Sequence, residues 1–214
     1  MEPISEILFI CITLPMIPML FVLPDKRSRL FLGYLMIGAL ICLIAGALNQ
    51  FLLGVFGGDM LYVTTAVTPI SEEIMKAVPV LYFAIFFSDD RETLVSIAFA
   101  LGIGFAILEN GVILIQNLSH TSILWALSRV IGAALMHGAC TAIIGMGMSY
   151  VRKRKKLFYC GTTALMITAV IFHATFNVLV QSQYRIAAFI LPVSMYIPIV
   201  AAVISKRGKK ANGK

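Results

Sequence analysis

Apolar residues run along this chain in long stretches, separated by short polar or charged segments. Seven stretches approach or exceed the roughly 20 residues that an α-helix needs to cross a bilayer: residues 4–23, 30–56, 60–87, 93–117, 123–151, 157–180 and 186–204. The pattern predicts an all-α fold, a polytopic bundle of about seven transmembrane helices. The third and fifth stretches are long enough to tilt or bend, and Pro69 and Pro79 place a kink in the third. The connections are short, so neighbouring spans should run antiparallel. Small residues, namely Gly38 and Gly46, Gly102 and Gly104, and Gly138 and Gly145, predict close backbone approach between helices. No second composition regime divides residues 1–214, which read as a single integral membrane domain.

Composition agrees with the pattern. The chain is 60% hydrophobic and 13% charged, against about 25% charged in a typical soluble domain. The net charge of +7 could suggest nucleic acid, but its placement does not. Lys26, Arg27 and Arg29 follow the first stretch, Arg91 the third, Arg152 to Lys156 the fifth, and Lys206, Arg207, Lys209, Lys210 and Lys214 the last. With seven spans all of these fall on one side, and the opposite loops hold only Arg185. This is the positive-inside pattern, and it predicts the N-terminus outside and the C-terminus inside. A cleaved signal peptide would need a basic start, which this sequence does not have. Cys11, Cys42, Cys140 and Cys160 form no CxxC pair and suggest neither a disulfide framework nor a thiolate metal site.

What changes the picture is polarity inside the stretches. The third carries Glu72, Glu73 and Lys76, the fourth Glu109 and Asn110, the fifth Arg129 and His137, the sixth His173 and Asn177. The other three are nearly clean apart from Asn49 and Gln50. A charged residue in mid-membrane costs about 2.5–3.5 kcal/mol on insertion scales and usually marks function. At about 1.5 Å per residue, Glu73 and His137 lie roughly 20 Å from the outer ends of their helices, and Glu109 and His173 roughly 12 Å. These depths overlap within the error of the boundaries, so four helices bring polar groups to one layer. Lys76 is three and four residues from the glutamates, within reach of either, and His173 and Asn177 share a face. All must point into the bundle, because lipid offers no hydrogen bonds.

A polar chamber of this kind suits peptide hydrolysis, which needs an activated water and oxyanion donors. In one scheme the catalytic groups are Glu72 and Glu73, with histidine and asparagine N–H groups as donors and Lys76 in support. In another, Glu109, His137 and His173 hold a divalent metal such as zinc and leave a position for water, with Glu72 or Glu73 as base. The residues alone leave both open.

The stretch SEEIMK (Ser71–Lys76) resembles the EExxK motif of the PrsW family, and FAILEN (Phe105–Asn110) resembles its FxxxEN motif. His137 falls where that family has a lone histidine, and FHATFN (Phe172–Asn177) is similar to its closing histidine motif. Order and spacing agree over about residues 60–180. The family is related to the type II CAAX prenyl endopeptidases. The resemblance implies an intramembrane endopeptidase of the glutamic or metallo type in a bacterial cytoplasmic membrane. Its substrate would be a single-span membrane protein, with site-1 cleavage of an anti-sigma factor as one such reaction. It also implies Glu72, Glu73, Glu109, His137, His173 and Asn177 as catalytic residues, with Lys76 and Asn110, which lie in the same motifs, in support. Arg129 lies outside them and either supports the site by pairing with a carboxylate or snorkels to the outer interface. Some members have Asp where this chain has Asn177, which cannot act as a base and should donate a hydrogen bond instead.

Two other classes fit parts of the pattern. An ion- or proton-coupled transporter also uses intramembrane Glu, Lys and His, although no inverted repeat is visible. A non-catalytic membrane partner, such as a bacteriocin-immunity protein, could keep the fold without the reaction.

Overall fold

The computed structural model describes residues 4–197 except 121 and 185. The basic tail and Arg185 lie outside the described residues. The chain folds as α1 (Ile4–Thr13), α2 (Met16–Val22), α3 (Lys26–Val55), α4 (Met60–Tyr62), a π-helical segment (Val63–Val67), α5 (Thr68–Phe86), α6 (Arg91–Gln116), α7 (Ile123–Met148) and α8 (Lys155–Gln181). A final apolar helix, α9, covers Ile186–Ile197. Side-chain caps open several helices. Asp25 accepts from the Ser28 amide at 2.7 Å, Asp59 from Tyr62 at 2.9 Å, Asp90 from Thr93 at 2.8 Å and Ser122 from Trp125 at 3.1 Å.

Five helical segments among the described residues are long and apolar enough to cross a membrane: Ile4–Val22, Lys26–Val55, Arg91–Gln116, Trp125–Met148 and Lys155–Gln181. The sequence pattern predicts seven. The first predicted span is broken at Pro15, which has no N–H to carry α1 into α2. The third is helical from Met60 to Phe86, but Glu72, Glu73 and Lys76 keep it out of the purely apolar set. The seventh is described only as far as Ile197.

The predicted kink takes a definite form. The Thr68 amide donates to the Val63 carbonyl, five residues back, so the helix widens immediately before Pro69. Pro69 has no N–H and its ring crowds the preceding turn, and the π turn accommodates both. Further along, the Pro79 carbonyl accepts from the Tyr34 hydroxyl at 3.1 Å, tying α5 to α3.

α6 lies between α3 and α7 and packs heavily on both. Its Leu94, Ile97, Leu101 and Phe105 are buried, as are Met136, Cys140 and Ile144 of α7. In lipid the hydrophobic effect does not hold helices together, so close packing has to. A Cβ added to Gly104 would lie 1.9 Å from the Leu35 carbonyl oxygen of α3, and one on Gly38 would lie 2.0 Å from the Leu101 oxygen of α6. On the other face of α6, a Cβ at Gly102 would lie 2.3 Å from the His137 carbonyl oxygen. Gly46, also expected at an interface, has nothing within 4 Å. Outward faces are apolar and exposed, as at Phe51, Ile74, Val78 and Ile171, which suits contact with lipid tails.

One end of the bundle gathers the basic residues. Arg27 pairs with Glu92 at 3.6 Å, Lys153 pairs with Asp89 at 3.5 Å, and the Arg152 guanidinium donates to the Ile85 carbonyl. At the middle of the bundle α5 touches α3, α6, α7 and α8, so its buried face is where four other helices meet.

Candidate active site

That face of α5 carries Glu72, Glu73 and Lys76, all buried, with Glu73 and Lys76 at 0% exposure. Adjacent residues on a helix point about 100° apart, so the two glutamates have different neighbours. Glu73 Oε1 accepts from Lys76 Nζ at 2.5 Å and from His173 Nδ1 at 2.9 Å. Glu72 Oε1 accepts from Asn49 Nδ2 of α3 at 3.0 Å, and Asn49 Oδ1 in turn accepts from Ser71 Oγ at 3.1 Å. The second oxygen of each glutamate is buried and has no hydrogen-bond partner among the described residues.

The two histidines complete the cluster from α7 and α8. Their rings lie edge to face, centroids 4.7 Å apart. Glu73 occupies His173 Nδ1, which leaves Nε2 toward Glu72, 3.8 Å from Oε2. His137 Nδ1 lies 3.0 Å from Lys76 Nζ, and its Nε2 lies 3.0 Å from Glu109 Oε2. A lysine ammonium can only donate, so Nδ1 of His137 accepts and Nε2 holds the proton shared with Glu109. The Lys76 ammonium also stands 4.6 Å over the Phe105 ring, a cation–π contact that helps place its charge.

Glu109 is the least buried of the three carboxylates, its side chain 24% exposed. Arg129 makes no ion pair among the described residues, although its charge acts on Glu109; its Nε is buried without a partner. Asn110 is buried, and its Oδ1 likewise has no partner. Asn177 stands apart from the cluster: its amide donates to the Thr64 carbonyl in the π segment at 2.9 Å. Gln181, one turn further, donates to the Thr64 hydroxyl at 3.2 Å.

The arrangement fits a metal ion. Glu72, His137 and His173 each offer a ligand atom, all within 4.8 Å of one another and all buried. Glu72 Oε2 has no partner, and the carboxylate behind His173 is the support that metal-binding histidines usually have. In the metal scheme the sequence suggests Glu109 with the two histidines. In the structure the carboxylate grouped with them is Glu72, while Glu109 is hydrogen-bonded to His137. Ligation by His137 would displace one of its two present partners, and Glu109 is placed to receive the Nε2 proton.

In the sequence Asn49 stands out only as a polar exception in a clean stretch. Its fellow exception Gln50 is exposed, and one polar residue at the end of an apolar helix gives no direction. Ser71 sat inside a recognised motif without a role of its own.

A model of the PrsW family, described as PrsW family intramembrane metalloprotease, matches residues 26–203. The chain belongs to the PrsW family. The match spans every helix that contributes to the cluster, from Asn49 on α3 to His173 on α8. PrsW membership and the apolar helices together make this a multi-pass membrane protein and support intramembrane proteolysis as its activity. The metalloprotease description agrees with the Glu72, His137 and His173 grouping. No curated protein and no solved structure matches the chain.

Proposed function

We propose that this chain is an intramembrane endopeptidase that cleaves a single-span protein within the bilayer. The observation that carries this reading is the unpartnered Oε2 of Glu72, buried beside His173 Nε2, together with the equally unpartnered Oε2 of Glu73. A free carboxylate oxygen in such a place is costly unless something uses it.

Glu72, His137 and His173 would hold a divalent metal, and a nitrogen and oxygen ligand set suits zinc. A metal bound there supplies Lewis acidity and makes a water nucleophilic at neutral pH. The remaining roles belong to side chains. Glu73 fixes the His173 ring, and Lys76 holds Glu73 and His137 together. Asn49 turns Glu72 so that Oε2 is the oxygen left for the reaction. Glu109 would take up the His137 Nε2 proton, and Glu73, through its unpartnered Oε2, takes the proton of the attacking water and returns it to the leaving amine. Asn177 acts on the site through the π segment rather than as an oxyanion donor.

The bilayer is a bacterial cytoplasmic membrane, crossed seven times with the basic end inside, and an anti-sigma factor is a suitable class of substrate. New protein N-termini in membranes from cells expressing the wild type, Glu72→Gln or Glu73→Ala provide the test. Peptides unique to the wild type should map within or beside single spans. Identical N-termini in all three, at equal expression, would falsify the proposal.

A further inference from the structure

A crevice of about 770 Å3 opens between α3 and α5 at the basic end of the bundle, away from the catalytic cluster. Its volume lies within the roughly 300–1,000 Å3 of ligand sites. The interior is apolar and aromatic, with Leu30 and Ile37 from one helix and Tyr82 and Phe83 from the other. Leu30 and Ile37 are seven residues apart, so the crevice runs about 10 Å along the helix, toward the middle of the bilayer. Such a shape suits an acyl chain.

The mouth sets the chemistry of the rest of the molecule. Lys26 and Arg27 stand on the α3 side, Asp90 and Glu92 on the α6 side. The charges sum to zero but are separated into a positive and a negative pole. Arg27 and Glu92 pair at 3.6 Å with side chains 66% and 80% exposed, a contact weak enough to exchange for a ligand. Both side-chain hydrogen bonds of Asp90 use Oδ2, so Oδ1 can accept another. An anionic headgroup would meet Asp90 and Glu92 unfavourably. A choline headgroup has no N–H to donate to them.

We propose that this crevice binds an aminophospholipid of the surrounding bilayer, phosphatidylethanolamine in chemical terms. One acyl chain lies between α3 and α5, the phosphate against Lys26 and Arg27, and the ammonium against Asp90 and Glu92. The site is independent of the proteolytic reading, because none of its lining residues belongs to the catalytic cluster.

The test is native mass spectrometry of the full chain from micelles containing equal phosphatidylethanolamine, phosphatidylcholine and phosphatidylglycerol. The wild type should retain phosphatidylethanolamine at least threefold over each of the others. The double variant Lys26→Glu/Arg27→Glu should lose that retention, and Glu92→Lys should shift preference to phosphatidylglycerol. Lys155→Glu, at the start of α8 in another basic cluster, should change nothing. All four positions are on the surface, and unchanged thermal unfolding checks that the variants fold. Equal retention of the three lipids, preference for either of the others, unaltered retention in the variants, or a dimer in place of a lipid adduct would each overturn the proposal.

Discussion

Replacing Gly104 with alanine tests the claim that α3 and α6 touch backbone to backbone. The added Cβ would lie 1.9 Å from the Leu35 oxygen, where a C···O contact usually needs about 3.3 Å. The helices must therefore separate by about 1.4 Å, and the atoms met are all main chain of Leu35, so no rotamer change relieves the clash. Overpacking of this severity costs about 3 kcal/mol, offset by about 1 kcal/mol of improved helix propensity. The net loss is about 2 kcal/mol. Gly46→Ala has nothing within 4 Å to meet and should gain about 1 kcal/mol from propensity alone. The variants should differ by about 3 kcal/mol, or about 6–12 °C in melting temperature for a chain of this size. Buried Cys42 and Cys140 provide the assay. With exposed Cys11 and Cys160 replaced by serine, a thiol-reactive fluorophore reports unfolding in detergent as the buried thiols open. If Gly104→Ala melts within 2 °C of Gly46→Ala, the close approach of α3 and α6 is wrong.

Other substitutions separate the roles assigned within the cluster. Asn49→Leu leaves Glu72 Oε1 without its donor and should lower cleavage about 10–100-fold, the usual effect of losing support behind a metal ligand; Asn49→Gln should restore part of it, and equal rates in both would remove Asn49 from the site. Measured by elemental analysis of the purified protein, bound metal should fall in Glu72→Gln and in His173→Ala but persist in Asn110→Ala. Asn177→Ala should cost about 1 kcal/mol of stability through the lost bond to Thr64, and a collapse of cleavage with the melting temperature unchanged would restore it as a direct donor. Asp25 and Asp90 cap helices in the loops, and hydrogen bonds from Ser28 and Thr93 hold their carboxyls below the ordinary value of 3.8. A lowered folded value stabilises above the unfolded pKa, so both caps should persist at neutral pH and be lost as the pH falls below 3.8. Acid unfolding of Asp25→Asn/Asp90→Asn should be shallower than that of the wild type in this range.

Much of the bundle was legible in the sequence because lipid imposes two demands at once. Helices must be long and apolar, and any ionisable residue within them must face inward. Glu72, Glu73, Lys76, Glu109, His137 and His173 were therefore identifiable as one buried group without coordinates. Which carboxylate joins the histidines was not legible. That depends on how α5 is rotated, and the rotation follows from neighbours such as Asn49 and Tyr34 that a helical repeat does not reveal. Glycine spacing was similarly ambiguous, since Gly38 and Gly46 recur on the same helix while only Gly38 meets another backbone. The crevice at the basic end depends on the divergence of two helices, for which the sequence had no signature.

The π turn at Val63–Val67 bears on how this protein can vary in length. A π turn holds one residue more than the α turn it replaces. Deleting Ala66 would remove that extra residue, return the helix to regular winding and keep the residues before it in nearly their present phase relative to Glu72 and Glu73. A residue deleted from the regular part of α5 before Glu72, such as Ile70, is not absorbed and turns everything before it by about 100°. Tolerance to single-residue deletion should therefore be higher within Val63–Val67 than just after it, and a scan of deletions along residues 60–71 would trace that edge.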